Sequence, residues 1–174
     1  IQDEKHAASV ILSESDKMTA LVEEILCLSR IESGETKLHR EKISVSEIVN
    51  NCLVSLESVI IKKGIAVETH LSGSEVLADV ANLETAVTNL LSNAVKYGKS
   101  KIVILCDDHS LSIWNDGEML SKEDASHIFE RFYIGKNGST GIGLALTKEI
   151  IERHGWELRL NNREDGPEFI IRFG

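Results

Sequence analysis

The spacing of hydrophobic residues constrains the fold of this chain more than any other feature, because it changes repeatedly between two periods after residue 37. In one segment hydrophobic residues recur every three or four positions, as on one face of a helix, at Val80, Leu83, Val87, Leu90 and Ala94. Another alternates residue by residue, as a strand does, at Ile65, Val67, Thr69 and Leu71. Helices and strands therefore mix without strict β-α-β alternation, which predicts an α/β (α+β) two-layer sandwich, with a mixed sheet covered by helices on one face.

Turn and capping residues divide this mixed region into predicted elements. We expect strands over 37–44, 65–71, 75–78, 101–106, 111–115, 156–161 and 168–173. We expect helices over 46–63, 80–97 and 122–131, and from the glycine-rich loop to residue 154. The residues expected to cap or stop these helices are Ser46, Gly64, Asp79, Gly98 and Ser121.

The first 33 residues contain neither proline nor glycine and form one long predicted helix. Apolar residues recur with a seven-residue spacing at Ile11, Met18 and Ile25, joined three residues on by Leu21 and Leu28. Such a helix either lies on its own domain or presents its stripe to a partner helix. The chain begins at Ile1 in the middle of polar helical sequence, so we expect it to be a piece of a longer protein.

Composition excludes several classes of function. Among 174 residues, 19 are Lys or Arg and 28 are Asp or Glu, and the longest basic run is Lys62–Lys63, so nucleic-acid binding is not expected. The longest apolar run, 102–106, is too short to span a bilayer, and no direct membrane contact is expected. Three widely separated cysteines suit buried thiols in a reducing cytosol.

The predicted helix over 80–97 carries a polar stripe. Asn89, Asn93, Lys96 and Tyr97 fall at positions i, i+4, i+7 and i+8, on a different face from the apolar residues. Amide oxygens can join waters and phosphate oxygens around Mg²⁺, which takes few protein ligands, and Lys96 can offset phosphate charge. The stripe therefore indicates either a metal–phosphate site or an ordinary solvated face.

A glycine-rich loop precedes the last predicted helix, with glycines at 135, 138, 141 and 143. Glycines let backbone N–H groups turn toward an anion, and the helix N-terminus that follows adds partial positive charge. The loop has neither the Gly-Lys-Ser/Thr ending of a P-loop nor a strand leading straight into it. We expect a phosphate site or a flexible surface loop, and in the first case residues 134–140 should become ordered when phosphates bind.

Two further segments lie between the stripe and the loop. Asn115-Asp116-Gly117 follows a predicted strand and forms either a plain Asx turn or a binding turn. Residues 128–133 are an aromatic cluster that can belong to the core.

The order and spacing of these four segments resemble the sensor histidine kinases of two-component systems. Residues 89–97 resemble the N box of that family, 115–117 the G1 box, 129–133 the F box and 140–144 the G2 box. Residues 26–34 resemble the end of the second helix of the dimerisation domain. The resemblance implies two units, part of a dimerisation and phosphotransfer domain over 1–34 and an ATP-binding catalytic domain over 35–174.

The family resemblance implies a Bergerat fold, with ATP bound between the N-box helix and a lid. Asn93 would be the Mg²⁺ ligand, Asn89 and Lys96 would contact phosphates, and Tyr97 would pack beside the nucleotide. Asn115 would accept from the adenine amine, and Gly117 would let the ring approach. The lid and its hinge would contribute Phe132, Lys136, Thr140, Gly141, Ile142, Gly143 and Leu144, with Gly141 and Gly143 on the phosphates.

This sequence departs from the family pattern at several positions. Asn115 stands where the family usually has Asp, and the acid Asp116 comes one place later. Met119 replaces a glycine of the G1 box, and Ser139 replaces one of the G2 box. Ile134 stands where an Arg often reaches the γ-phosphate, a role that Lys136 can take. These departures leave a non-catalytic nucleotide-sensing module as an alternative to a kinase domain.

None of the six histidines has the acidic neighbour and following proline of a phosphoacceptor, so no catalytic residue is expected within this chain. The resemblance implies that the γ-phosphoryl group of ATP passes to a His of the parent protein and then to an Asp of a response regulator. It further implies a homodimeric parent anchored in the cell membrane, with this part in the cytoplasm. A serine kinase or an ATP-driven clamp of the wider superfamily is a third possibility, disfavoured by the heptad helix.

Overall fold

The computed structural model describes residues 2–32, 37–73, 75–135 and 140–174. The helices are α1 (Gln2–Glu32), α2 (Val45–Lys63), α3 (Val80–Tyr97), α4 (Lys122–His127) and α5 (Gly143–Arg153). The strands are β1 (Glu41–Ser44), β2 (Ala66–Leu71), β3 (Glu75–Ala78), β4 (Lys101–Cys106), β5 (Ser110–Asn115), β6 (Glu157–Arg163) and β7 (Gly166–Arg172).

Five strands form one mixed sheet in the order β2-β4-β5-β7-β6. β2 runs parallel to β4, whereas the other neighbours are antiparallel. β1 and β3 pair separately, antiparallel, with Glu41 opposite Ala78. The mixed sheet expected from the sequence is confirmed.

The helices cover one face of the five-stranded sheet. Side chains alternate across a strand, and those that point to the helices are buried in the core, including Ile102, Ile104, Leu111, Ile113 and Ile171. α3 packs between α2 and α5 in this helical layer. The opposite face stays open, with Leu105 43% exposed. The polar stripe of α3 therefore lies at the edge of a well-packed hydrophobic core.

The cap of α2 differs from the expected one. The hydroxyl of Ser44 accepts a hydrogen bond from the backbone N–H of Glu47 at 3.4 Å, so Ser44, and not Ser46, caps the helix. Ser44 has extended backbone dihedrals and Ser46 already lies inside the helix, where a side chain cannot serve as an N-cap. The predicted caps Asp79 and Ser121 are confirmed, as is the left-handed stop at Gly64.

The C-terminus of α3 is closed by a side chain from α2. Gly98 ends α3 as expected, with its N–H bonded to the carbonyl oxygen of Ala94 at 2.8 Å, although its φ of −63° and ψ of 145° are extended and not left-handed. In addition, the Lys63 ammonium donates to the carbonyl oxygens of Val95 and Lys96, at 2.7 and 2.8 Å. A cation at the negative end of a helix is favourable, and this contact fixes the end of α3 that carries the polar stripe.

Several element boundaries differ from those expected, and the largest differences lie in β1, in α4 and at the turn between β6 and β7. β1 begins at Glu41 and not at residue 37, because only 41–44 have a partner strand in β3. α4 ends at His127 and not at Arg131, since the chain turns there, with the N–H of Glu130 bonded to the carbonyl of His127. The last turn lies at 164–165, and β7 already begins at Gly166.

The two halves of α1 have different surroundings. Near its C-terminus, Leu28 is buried, and Leu21 and Cys27 pack against the core, with α1 lying beside α5. Farther up the helix, Ile11 and Met18 are 68% and 67% exposed. The C-terminal half of α1 therefore lies on its own domain, whereas the apolar stripe of the N-terminal half is exposed, and its contact with a partner helix stays a prediction. No helix within the described ranges is long and apolar enough to cross a membrane.

Candidate functional site

The centre of the α3 stripe meets the start of α5. Asn89 Nδ2 donates to the carbonyl oxygen of Gly143 at 3.1 Å and to Thr147 Oγ1 at 3.4 Å. Thr147, which is fully buried, in turn donates to the same carbonyl at 2.8 Å. Asn89 therefore fixes the first turn of α5. Thr147 was missed by the sequence reasoning, because a threonine inside a helix carries no local signal.

The rest of the stripe faces outward. Asn93 is half-buried, and no group in the described part of the chain pairs with its carboxamide. Lys96 Nζ lies 5.0 Å from the ring centroid of Tyr97, and both side chains are exposed. An amide oxygen and an ammonium are thus available to a ligand along one side of α3.

The end of α3 meets the turn that follows β5. A Cβ atom on Gly117 would lie 2.7 Å from the carbonyl oxygen of Tyr97 and 2.5 Å from Asn115 Nδ2, so only glycine fits there. Asn115 is 2% exposed. Its Nδ2 is buried and has no hydrogen-bond acceptor among the described residues. A buried unpaired amide is costly, which makes this position a candidate for contact with a ligand.

Asp116, the acid next to Asn115, is already engaged. Its carboxylate accepts from the N–H of Lys99 at 2.8 Å, from the N–H of Ser100 at 3.0 Å and from Ser100 Oγ at 2.6 Å. Burial alone would raise the pKa of Asp116, but these hydrogen bonds hold it well below its usual value. Asp116 therefore secures the loop between α3 and β4, and Asn115 is the residue whose polar group is left unpaired.

The aromatic segment meets the end of the glycine-rich loop. The N–H of Phe132 donates to the carbonyl oxygen of Gly141 at 2.8 Å, and the hydroxyl of Tyr133 donates to Asp124 Oδ1 at 2.9 Å. Gly141 has φ +68°, and a Cβ atom there would lie 2.6 Å from the carbonyl oxygen of Tyr133. Phe132 is 65% exposed, whereas Phe129 packs edge-on against Phe169 in the core. The cluster is therefore only partly core.

Thr140 joins the loop to α1. Its hydroxyl donates to Glu24 Oε2 at 3.1 Å, a contact that the sequence did not predict because the two residues are so far apart in the chain. Burial raises the pKa of Glu24, and the hydrogen bond from Thr140 partly opposes this. Lys136, with the centre of the loop that we expect to become ordered, lies outside the described residues.

α5 begins without a side-chain cap. Ile142 precedes it with no side-chain hydrogen bond to the helix, so the first N–H groups of α5 have no capping side chain. A helix N-terminus with such N–H groups suits an anion. The Ile142 side chain is fully buried, so only its backbone can reach a ligand, whereas Gly143 and Leu144 are half-buried in the first turn.

The donor set fits a magnesium ion carried by phosphates. The described residues contain no cluster of three or more His, Cys, Asp or Glu side chains that could hold a metal. Mg²⁺ keeps several waters and is commonly bound by one or two protein groups together with substrate phosphates. The Asn93 carboxamide suits such a site, because it lies one helical turn from Asn89, which bonds to the uncapped start of α5.

His154 has a structural role. Its Nδ1 donates to the carbonyl oxygen of Ile150 at 2.7 Å, and its Nε2 accepts from the N–H of Asp79 at 3.1 Å. The ring is therefore neutral, and burial lowers its pKa. His154 ties the end of α5 to the start of α3.

Comparisons with known proteins identify the family of this chain. The family model described as "Histidine kinase-, DNA gyrase B-, and HSP90-like ATPase" matches residues 78–174, which include α3, the turn after β5 and α5. The chain is 31% identical over 152 residues to the heme sensor protein HssS of Staphylococcus aureus, covering 83% of this chain and 33% of that protein. It is 32% identical over 173 residues to the sensor protein KdpD of Escherichia coli, covering 91% of this chain and 19% of that protein.

A solved structure adds to these relatives. The catalytic domain of histidine kinase ThkA is 30% identical, with a TM-score of 0.68, covering 76% of this chain and 95% of that one. The chain thus spans a third or less of the two full-length relatives but nearly all of a catalytic domain. These matches show that the chain belongs to the histidine kinase-, DNA gyrase B- and HSP90-like ATPases and is a catalytic domain of the histidine kinase type.

Proposed function

We propose that this domain binds ATP with Mg²⁺ and positions it for transfer of the γ-phosphoryl group to a histidine of the parent protein, for relay to an aspartate of a response regulator. One observation carries the proposal. Motifs that are far apart in the sequence meet around α3: Gly143 at Asn89, and Gly117 at Tyr97 and Asn115. Phosphoryl transfer depends mainly on positioning and charge neutralisation, which such a convergence supplies.

The residues divide into groups by the part of the nucleotide they contact. Asn93 ligates Mg²⁺ and Lys96 contacts phosphate, while Asn89 contacts phosphate from α3, beside the start of α5. The backbone N–H groups from Gly141 to Leu144 donate hydrogen bonds to phosphate oxygens, and Ile142 contributes only its backbone. Tyr97, Phe132 and Thr140 line the pocket, and Lys136 supplies a further charge from the loop. When bound, Mg²⁺ offsets charge on the phosphate oxygens.

Asn115 and Gly117 form the base-binding end of the pocket. Asn115 accepts a hydrogen bond from the adenine amine, and Gly117 leaves room for the ring. The buried, unpaired amide of Asn115 supports this role, because a base can supply the missing hydrogen-bond partner.

The proposal extends to the organisation of the parent. Residues 1–34 form the second helix of a dimerisation and phosphotransfer domain, and 35–174 form the catalytic domain. The exposed residues Ile11 and Met18 face the helices of a homodimer in the parent. The catalytic domain works in the cytoplasm, where ATP is available, and the parent is anchored in the cell membrane.

Nucleotide binding is tested by calorimetry with ADP and ATP analogues in excess Mg²⁺. Asn93→Ala should lose most of the affinity because it removes the metal ligand. Asn50→Ala is the matched control, since it makes the same change on an exposed face of α2. Equal nucleotide affinity of Asn93→Ala and the unsubstituted chain would contradict the metal assignment.

Phosphoryl transfer is tested by supplying an acceptor helix hairpin in trans, with labelled ATP. We expect acid-labile phosphohistidine on the hairpin and none on the six histidines of this chain. Nucleotide binding without any transfer would favour the nucleotide-sensing module instead. Phosphate on a histidine of the chain itself would show that the acceptor is not supplied by another part of the parent.

A further inference from the structure

We infer that the base pocket accepts 6-oxopurine nucleotides as well as adenine nucleotides, because the buried group at position 115 is a carboxamide. The inference rests on the proposed function and concerns the substrate class of the same site. It depends on three properties of Asn115: its direction, its missing hydrogen-bond partner and the chemistry of its side chain.

Asn115 points into the helical side of the sheet. It is the last residue of β5, and it lies on the same strand face as Ile113 and Leu111, which are buried beneath the helices. Asn115 is itself 98% buried, being 2% exposed. A polar side chain in this position is held by the core and meets either a protein partner or a bound molecule.

The described residues give the amide nitrogen no acceptor. Asn115 Nδ2 is buried and unpaired, and the absence of a side chain on Gly117 leaves space beside it, since a Cβ atom there would lie 2.5 Å from this nitrogen. The carboxylate of Asp116 is turned to the α3–β4 loop, where Lys99 and Ser100 use it. The protein therefore does not fix which end of the Asn115 amide faces the pocket.

The two purine classes differ at the neighbouring N1, which accepts in adenine and donates in hypoxanthine and guanine, and at position 6, which is the position that faces Asn115 in the proposed pose. Adenine carries an amine there, which donates, whereas hypoxanthine and guanine carry a carbonyl, which accepts. A carboxylate is an acceptor only, so it pairs with the amine and repels the carbonyl. A carboxamide donates from one end and accepts at the other, and a half-turn about its Cβ–Cγ bond exchanges them. Asn115 can thus pair with the group at position 6 of either ring in one and the same pose.

The test measures the affinities of ADP and inosine diphosphate by calorimetry in excess Mg²⁺, for the unsubstituted chain and for Asn115→Asp. The unsubstituted chain should bind the two within about tenfold of each other, whereas Asn115→Asp should increase the preference for ADP by at least about tenfold. Asn50→Ala, on the surface of α2, should leave the ratio unchanged. A preference of the unsubstituted chain for ADP above about a hundredfold, or an unchanged ratio in Asn115→Asp, would overturn the inference.

A second probe covers the case in which a buried carboxylate prevents Asn115→Asp from folding. Purine riboside diphosphate has no group at position 6, so the unsubstituted chain should bind it at least about tenfold more weakly than inosine diphosphate. Equal affinities would overturn the inference. If ADP does not bind at all, the proposed function fails and this inference with it. If ADP binds but inosine diphosphate does not, only the base inference fails.

Discussion

The backbone N–H of Phe132 donates a hydrogen bond to the carbonyl oxygen of Gly141, and this 2.8 Å contact closes the loop between them at its base. Both residues have positive φ, 61° for Phe132 and 68° for Gly141. Phe132 is the one non-glycine residue with positive φ among those described. Backbone strain of this kind persists only where the surroundings impose it, and it concentrates at functional sites.

Gly141→Ala should weaken both folding and nucleotide binding. The added Cβ atom would lie 2.6 Å from the carbonyl oxygen of Tyr133, at a φ that alanine rarely adopts. We expect a loss of about 1–3 kcal/mol in the free energy of unfolding, measured by denaturant titration, and reduced ADP affinity. Gly73→Ala is the control, because its Cβ atom would meet only Ser46 Oγ, at 3.9 Å. Equal effects of the two changes would contradict the hinge role.

Asn89→Ala and Asn93→Ala should differ in their effect on stability. Asn89 donates to the carbonyl of Gly143 and so holds α5. Asn89→Ala should therefore lower the free energy of unfolding by about 1 kcal/mol and also lower the affinity for nucleotide. Asn93 has no such partner in the described part of the chain, so Asn93→Ala should lower the affinity for nucleotide and leave the free energy of unfolding unchanged. Thermal unfolding without nucleotide, followed by calorimetry with ADP, separates the two effects.

Asp116→Ala should destabilise the α3–β4 loop without abolishing base recognition. The substitution removes the acceptor of the N–H groups of Lys99 and Ser100, at a cost of about 1–3 kcal/mol. Glu118→Ala, an exposed change two residues on, should be nearly neutral in the same denaturant titration. Complete loss of ADP binding by a folded Asp116→Ala would instead assign the base contact to Asp116.

The sequence predicted those parts of the fold that local chemistry controls. The bounds of α3 were right, because Asp79 is a strong cap and the apolar period runs unbroken to Val95. At the start of α2 the sequence predicted Ser46 as the cap, whereas Ser44 has that position in the structure. The choice depends on where β1 ends, which pairing with β3 decides.

The site was predictable as a set of motifs but not as a set of contacts. The stripe on α3 and the glycine-rich loop are visible in the sequence, and their convergence is not. The bond from Asn89 to Gly143 and the bond from Thr140 to Glu24 join distant segments. Such contacts depend on how helices pack, for which one sequence carries no local signal.

The fold should lose stability in mild acid through His154. Burial lowers the pKa of this histidine below its ordinary value of 6.5, so the unfolded chain takes up a proton there that the folded chain refuses. The contribution of neutral His154 to the free energy of unfolding is fully present above pH 6.5, and it is lost as the pH falls through the lowered pKa of the folded state. Denaturant titrations from pH 7.5 to 5 should show this decline reduced in His154→Gln. The exposed His109→Gln is the control, and an unchanged pH dependence in His154→Gln would assign the loss to other groups.

The two halves of α1 should respond differently to the same loss of apolar surface. Leu28 is 6% exposed and packs against the core, so Leu28→Ala should weaken the docking of α1 by about 2 kcal/mol. Ile11 is 68% exposed, so Ile11→Ala should change the free energy of docking of α1 by less than about 0.5 kcal/mol. Limited proteolysis and hydrogen exchange within α1 measure this docking directly. Increased cleavage in Leu28→Ala alone is expected, because the single hydrogen bond from Thr140 to Glu24, which is only partly buried, contributes about 1 kcal/mol and does not hold the helix by itself. Equal protection in both variants would mean that α1 is not anchored at Leu28.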